Sequence, residues 1–243
     1  MAAKIELRHK VHVLTRKEDL DSVRVPGKVV VVLDIIFATT TMVTALAHGA
    51  KEIVPVLDEK AARARAGDFP GCVLSGELYA ETLSGFAHPA PLALLAHGIE
   101  GKSVIYSTTN GTVAMTQAVG AARVYCGALL NARRLVEHIV QHHPRETVLI
   151  VCSGSGGNFN FEDFYGAGYF IECFLPHVND LSDAAKAALA LYRHARAPEA
   201  LLDGRVGRMM AARGLAHEVE FACRRDLYPV VPALEHGRLR LLA

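Results

Sequence analysis

The sequence has no surplus charge of either sign: 26 lysines and arginines face 25 acidic residues, for a formal net charge of +1. A nucleic-acid or anionic-membrane partner needs a one-signed surface, so this balance speaks against both. No apolar run reaches the ~18–20 residues of a membrane span, because Asp34 or glycines interrupt the longest ones. The five cysteines include no CxxC pair, which leaves a zinc ribbon or thioredoxin-type site without its ligands. Their odd number, with an N-terminal stretch from Met1 to Lys10 too polar for a secretory signal, predicts reduced, buried thiols in a cytoplasmic protein. Repeats, low-complexity tracts and Ser/Gly/Pro-rich spacers are also missing. Residues 1–243 are therefore expected to form one domain, long for a single unit but within the α/β range.

Hydrophobic residues make up 51% of the chain and charged ones 21%, enough for a sizeable core. Short β-branched runs alternate with longer helical patterns. Residues 29–36 are apolar apart from Asp34 and rich in branched side chains, which suits a parallel strand buried on both faces. Further strands are expected at 53–56, 72–77, 103–107, 123–126 and 147–152. Helices are expected at 39–47, 60–66, 91–97, 112–119, 131–141, 161–174 and 181–194. Pro55 marks an edge strand or a strand end. Residues 79–91 read as a loop. Beyond Leu201 the pattern predicts a helix, a short strand at 219–221 and an extended tail. The fold class is α/β: a largely parallel sheet with helices on both faces and a helix-rich C-terminal part.

Three strand ends share one design. Residues 29–36 run into Phe37-Ala38-Thr39-Thr40-Thr41, residues 104–107 into Thr108-Thr109-Asn110-Gly111-Thr112, and residues 148–152 into Ser153-Gly154-Ser155-Gly156-Gly157-Asn158. Ligands of parallel sheets bind outside the carboxyl ends of strands, and helix N-termini there suit an oxyanion. Ordinary capping explains any one such turn, while three together point to an anion site. The glycine turn matches neither the dinucleotide fingerprint nor the P-loop, since no Lys-Ser/Thr follows.

Asp34 interrupts an apolar strand and needs a partner. A metal ion or a helix N-terminus would serve, as would a structural role in capping nearby backbone. Glu77 stands at another strand end and with Asp34 supplies oxygen ligands suited to Mg²⁺. Glu162 and Asp163 are adjacent at a helix start, so at most one faces a site. Cys152 heads a turn that lacks the arginine of a thiolate phosphate loop, and reads as a core cysteine. His88 is either an acid–base group on a loop or simply exposed.

These blocks resemble the 2-phosphosulfolactate phosphatase family. Asp34-Ile-Ile-Phe-Ala-Thr-Thr-Thr41 is similar to its opening Asp-Val-Leu-Arg-Ala-Thr-Thr-Thr. Tyr106 to Thr112 is similar to its Thr-Thr-Asn-Gly-Thr block, and Cys126 to Asn131 to its Gly-Ser-x-x-Asn segment. Cys152 to Asp163 is similar to its Cys-Ala-Gly-x-x-Gly-Arg-Phe-Ser-x-Glu-Asp block, and the tail from Gly204 to Val231, with Glu218-Val-Glu-Phe and Asp226-x-x-x-Val-Val-Pro232, also fits. The resemblance implies a Mg²⁺-dependent acid phosphatase acting on a small molecule, with an α/β fold and self-association into a homo-oligomer. On this reading Asp34, Glu77 and Asp163 are the candidate catalytic groups, and Asp34, Glu77 and Glu162 the candidate Mg²⁺ ligands. Phe37, Thr39, Thr40, Thr41, Asn110, Asn131, Ser153, Gly154, Ser155, Gly156 and Asn158 are the candidate substrate contacts. Three family arginines are absent: Phe37, Leu78 and Asn158 stand in their blocks. Charge-assisted bonds contribute roughly 1.5–3 kcal/mol each, so the expected substrate is less anionic than 2-phosphosulfolactate. The alternative is a catalytically inactive paralogue that binds a small molecule or protein partner.

Overall fold

A computed structural model describes residues 10–178 and 180–242. The polar N-terminal stretch, Lys10 apart, lies outside the described residues. The strands are β1 Lys10–Leu14, β2 Val29–Leu33, β3 Glu52–Val56, β4 Val73–Leu78, β5 Glu81–Thr82, β6 Ser103–Ser107, β7 Arg123–Gly127, β8 Val148–Cys152, β9 Asp180–Leu181, β10 Pro232–Glu235 and β11 Arg238–Leu241. The helices are α1 Ala38–Ala47, α2 Glu59–Ala66, α3 Pro91–Leu95, α4 Gly111–Gln117, α5 Ala132–His142, α6 Phe161–Phe174, α7 Asp183–His194, α8 Glu199–Asp203, α9 Arg205–Ala212 and α10 Ala216–Ala222.

All strands join one sheet in the order β5-β4-β6-β3-β11-β10-β7-β2-β8-β1-β9. Strands β4, β6 and β3 are mutually parallel, as are β7, β2, β8, β1 and β9. The hairpin β10–β11 joins the two groups and runs antiparallel to each neighbour. The period-two alternation of strands sorts the core. Val29, Val31 and Leu33 pack with α5, α6 and α7, whereas Val30 and Val32 pack with α1, α3 and α4. Both faces of β2 are thus buried, as its unbroken apolar run requires. Helices α1 and α4 touch strands of both groups. The sheet curls around them, and the turns after β2 and β6 meet although four strands separate them in the sheet.

The largely parallel sheet, the helices on both faces and the helix-rich C-terminal part are as the sequence predicts. Several elements differ. Strand β1 has no counterpart in the prediction; its Val11 and Val13 are buried alternately while the chain pairs with β8. Residues 219–221 are helical, not extended: burial of Glu218, Val219, Phe221 and Ala222 follows the helical period. The C-terminal tail is the hairpin at the middle of the sheet, and the loop at 79–91 holds the short strand β5 against β4. Pro55 marks a strand end, because β3 is internal and β11 pairs with it only at Ile53.

Glu52 ties the hairpin in place. It is 1% exposed and accepts from Arg240 Nε at 2.9 Å and Ser103 Oγ at 2.8 Å, with Arg238 Nη1 at 3.5 Å. Removing this shared acceptor by Glu52→Ala is expected to cost about 2 kcal/mol. The check is a lower urea midpoint at unchanged slope.

Candidate active site

Asp34 follows β2 directly and is 7% exposed. Its Oδ1 accepts from the Ala38 amide at 3.4 Å, at the start of α1. Gly111 opens α4 against the same carboxylate, where a Cβ would stand 2.9 Å from Asp34 Oδ2 and 2.6 Å from the Ala38 Cβ. Two helix N-termini thus converge on one carboxylate, which answers the question of its partner. Burial still pushes the Asp34 carboxyl up to about 7; the charge of Glu77 adds to this, while the amides of Ala38 and Gly111 and the Lys17 ammonium oppose it.

Asp34 lies on a cavity of about 350 Å³. Seven of the sequence-predicted residues line it: Asp34, Phe37, Glu77, Asn110, Ser155, Gly156 and Asn158. Glu77 braces its rim. One carboxylate oxygen accepts from the Thr109 amide at 2.6 Å and hydroxyl at 2.9 Å, and the other from the Ala80 amide at 2.6 Å. The glycine turn closes on itself, with reciprocal 3.0 Å backbone bonds between Ser155 and Asn158. The Asn158 amide group is used within that turn, donating to Gly156 O at 3.0 Å.

The remaining predicted residues stand behind the cavity. Thr39 and Thr40 return their hydroxyls to the carbonyls of Asp34 and Ile35, and Thr41 reaches the Pro89 carbonyl at 2.7 Å. Asn131 bonds the backbone of Ala128, Cys126 and Val230. Ser153 is fully buried, and the Gly154 amide donates to Asp163 Oδ2 at 3.0 Å. Asp163 also accepts from the Ile35 amide at 2.8 Å, so it is a strut between the first and third turns rather than a group facing the cavity. Burial first, then Asp34 and Glu162, push its carboxyl well up. Cys152 is fully buried and its thiol is raised by burial, in keeping with a core cysteine.

Sequence reasoning missed two cations. Lys17 is 7% exposed and donates to Asn110 Oδ1 at 3.0 Å and Ser153 O at 3.3 Å. Arg205 lines the cavity and donates to Asn160 Oδ1 at 2.8 Å and to Ser155 Oγ. Neither lies in a recognisable motif. His88 is half-buried on the cavity, not simply exposed, and its Nδ1 accepts from the Ala90 amide at 3.1 Å. That bond places the proton of the neutral ring on Nε2. Burial keeps the ring below its usual range, with His97 adding and Glu218 opposing. Apolar side chains of Val206, Met209, Met210 and Leu215 complete the lining.

The donor set suits a hard cation in part. Among the described residues, no three His, Cys, Asp or Glu side chains gather to hold a metal, so Asp34, Glu77 and Glu162 do not form one ligand triad. Glu77 has turned its oxygens to Thr109 and Ala80. Asp34 and Glu162 remain as a pair. Glu162 is raised to about 7 by burial and then by Asp34, and its buried Oε1 has no hydrogen-bond partner. A buried, unpartnered oxygen whose ionisation a second buried carboxylate opposes fits a cation such as Mg²⁺, which takes one or two carboxylates and completes its shell with water and phosphate oxygens.

Fold and cavity together define an α/β protein with an acid-floored pocket at strand carboxyl ends. A family model described as 2-phosphosulpholactate phosphatase matches residues 14–237. The chain is 35% identical over 234 residues to a probable 2-phosphosulfolactate phosphatase of Carboxydothermus hydrogenoformans, covering 95% of this chain and 96% of that one. It is 30% identical over 237 residues to one of Clostridium beijerinckii, covering 95% and 98%. For one of Clostridium tetani the identity is 29% over 233 residues, covering 95% and 99%. The chain belongs to the 2-phosphosulfolactate phosphatase family, whose named members are phosphatases. Among the described residues no helix is long and apolar enough to cross a membrane.

Proposed function

We propose that the protein is a Mg²⁺-dependent phosphoric monoester hydrolase whose pocket takes a substrate less anionic than 2-phosphosulfolactate. The observation that carries this reading is the buried Asp34 carboxylate on the cavity, together with the buried, unpartnered oxygen of Glu162, whose ionisation the Asp34 charge opposes. Asp34 and Glu162 would hold the ion, which supplies Lewis-acid activation of water and of the phosphoryl group. Glu77 and Asp163 position the turns around that centre rather than touching the reacting atoms. Lys17 fixes Asn110 at the cavity wall through the 3.0 Å bond. His88 presents its Nε2 proton as a donor to a leaving-group or phosphoryl oxygen. Phe37 supports the change of substrate, since it puts carbon on the lining where the family carries a guanidinium.

A screen of phosphomonoesters with Mg²⁺ and with chelator tests the proposal. Turnover is expected only with Mg²⁺, and micromolar 2-phosphosulfolactate is expected to be hydrolysed slowly. If no ester turns over and Mg²⁺ leaves the melting temperature unchanged, the inactive-paralogue reading replaces this one.

A further inference from the structure

The hairpin of β4 and β5 separates two hollows. On one side lies the cavity of about 350 Å³, lined by Glu77, Tyr79, Ala80 and Thr82. On the other lies a groove of about 580 Å³, where Glu77 and Leu78 meet Leu57 and Leu83. The tip of the hairpin reaches the far wall of the cavity. Ala80 packs against the cluster that holds Val206 and Met210 of α9. Arg213, just after α9, donates to the Ala80 carbonyl at 3.1 Å and to Glu81 Oε1 at 2.6 Å. The tip therefore bridges the cavity from the sheet to the C-terminal helices.

Two features make that bridge costly to keep. Pairing of Leu78 with Glu81 leaves Tyr79 and Ala80 as a two-residue turn, and both have positive φ, 51° and 64°. Such a turn suits Asn-Gly, and residues such as Tyr and Ala are strained in it. Leu78 is 52% exposed and Tyr79 78%, so the apolar side chains of the tip gain little from burial. Against these costs stand Arg213, whose ion pair with Glu81 is open to solvent and weakened by salt, and Glu77, which accepts from the Ala80 amide at 2.6 Å. A segment held by small opposing effects opens easily, and backbone strain of this kind collects at clamps and switches. We propose that residues 78–81 are a gate over the cavity. Arg213 latches it shut, and it opens by swinging toward the groove, where Leu78 and Tyr79 cover Leu57 and Leu83. The gate does not depend on which ligand the cavity takes.

Labelling of a thiol inside the cavity tests the gate. Met210→Cys puts one on the lining, at a position 6% exposed. Reaction with N-ethylmaleimide is followed residue by residue by mass spectrometry, and the fully buried Cys152 reports unfolding. In the full chain carrying Met210→Cys, adding Arg213→Gln is expected to raise the labelling rate at position 210 about tenfold, the ratio that one charge-assisted contact supplies. Glu81→Gln should raise it by a smaller factor, and Cys152 should stay unlabelled in both. Adding Tyr79→Asn with Ala80→Gly, which relaxes the closed turn, should lower the rate about tenfold. Salt at about 0.5 M should speed labelling of the parent and leave the Arg213→Gln protein unchanged. Equal rates in the latched, unlatched and relaxed proteins overturn the proposal, as does a rise at Cys152 in step with position 210.

Discussion

Asp34→Asn is expected to abolish phosphomonoesterase activity and, in the same molecule, to raise thermal stability at pH 8. Its carboxyl is held at about 7 in the folded protein against an ordinary value of 3.8. Between those values the folded state keeps a proton that the unfolded chain releases. The group's contribution is therefore fully present below about 4, declines as pH rises, and is lost above about 7. At pH 8 the buried, ionised carboxylate costs on the order of 4 kcal/mol. An asparagine keeps an acceptor for the Ala38 amide and carries no charge to bury. Glu162, also raised to about 7, adds a slope of the same sign. In chelator, the wild-type melting temperature should fall between pH 5 and pH 8, and the Asp34→Asn profile should be flatter and cross above it. Mg²⁺ should stabilise the wild type more at pH 8 than at pH 6, because the ion needs both carboxylates deprotonated. Activity should drop by at least ~10³-fold if Asp34 holds the ion proposed above. An active variant, or one less stable than wild type at pH 8, would refute this account of Asp34.

Gly111→Ala should have the second-largest effect. The added methyl would stand 2.6 Å from the Ala38 Cβ and 2.9 Å from Asp34 Oδ2. Neither neighbour yields easily: Ala38 begins α1 on the core side of β2, and Asp34 is held between two helix N-termini. Overpacking of this kind costs about 1–3 kcal/mol, and moving Asp34 should lower kcat by ~100-fold or more, as misplacement near reacting groups does. Gly67→Ala is the matched control. Its Cβ would find nothing nearer than the Ala64 carbonyl oxygen at 3.8 Å, and its φ of −62° suits any residue. Paired denaturation and rate measurements should show a large effect at position 111 and almost none at 67. Equal effects would mean that the contact with Asp34 is immaterial.

What the sequence revealed of the site was chemistry carried by single strand ends. Asp34, Asn110 and Ser155 each follow an apolar run, and each lines the cavity. Misreadings arose where one pattern served two purposes. Thr39, Thr40 and Thr41 look like an oxyanion cradle, yet their hydroxyls are taken up by the backbone of their own turn or of Pro89. Lys17 and Arg205 were illegible for a different reason. Each sits in a polar stretch that reads as surface, and becomes part of the site only when segments about a hundred residues or fifty residues away fold over it. The hairpin left a local trace: Leu239 and Leu241 alternate with arginines after the His236–Gly237 turn, both at positive φ. Nothing in that trace says that the partners are strands β3 and β7, more than a hundred residues earlier.

That hairpin governs the order in which the molecule can be finished. Strands β3 and β7 are made more than a hundred residues before the strands that pair with their facing edges. Until residues 232–241 are made, the nascent chain carries two unfinished sheets, each with an open parallel edge of the kind that pairs promiscuously. A truncation before Pro232 would leave those edges open permanently, and would be lost to aggregation although every residue of the cavity had been translated. Residues 232–241 thus act as a keystone for the whole arch.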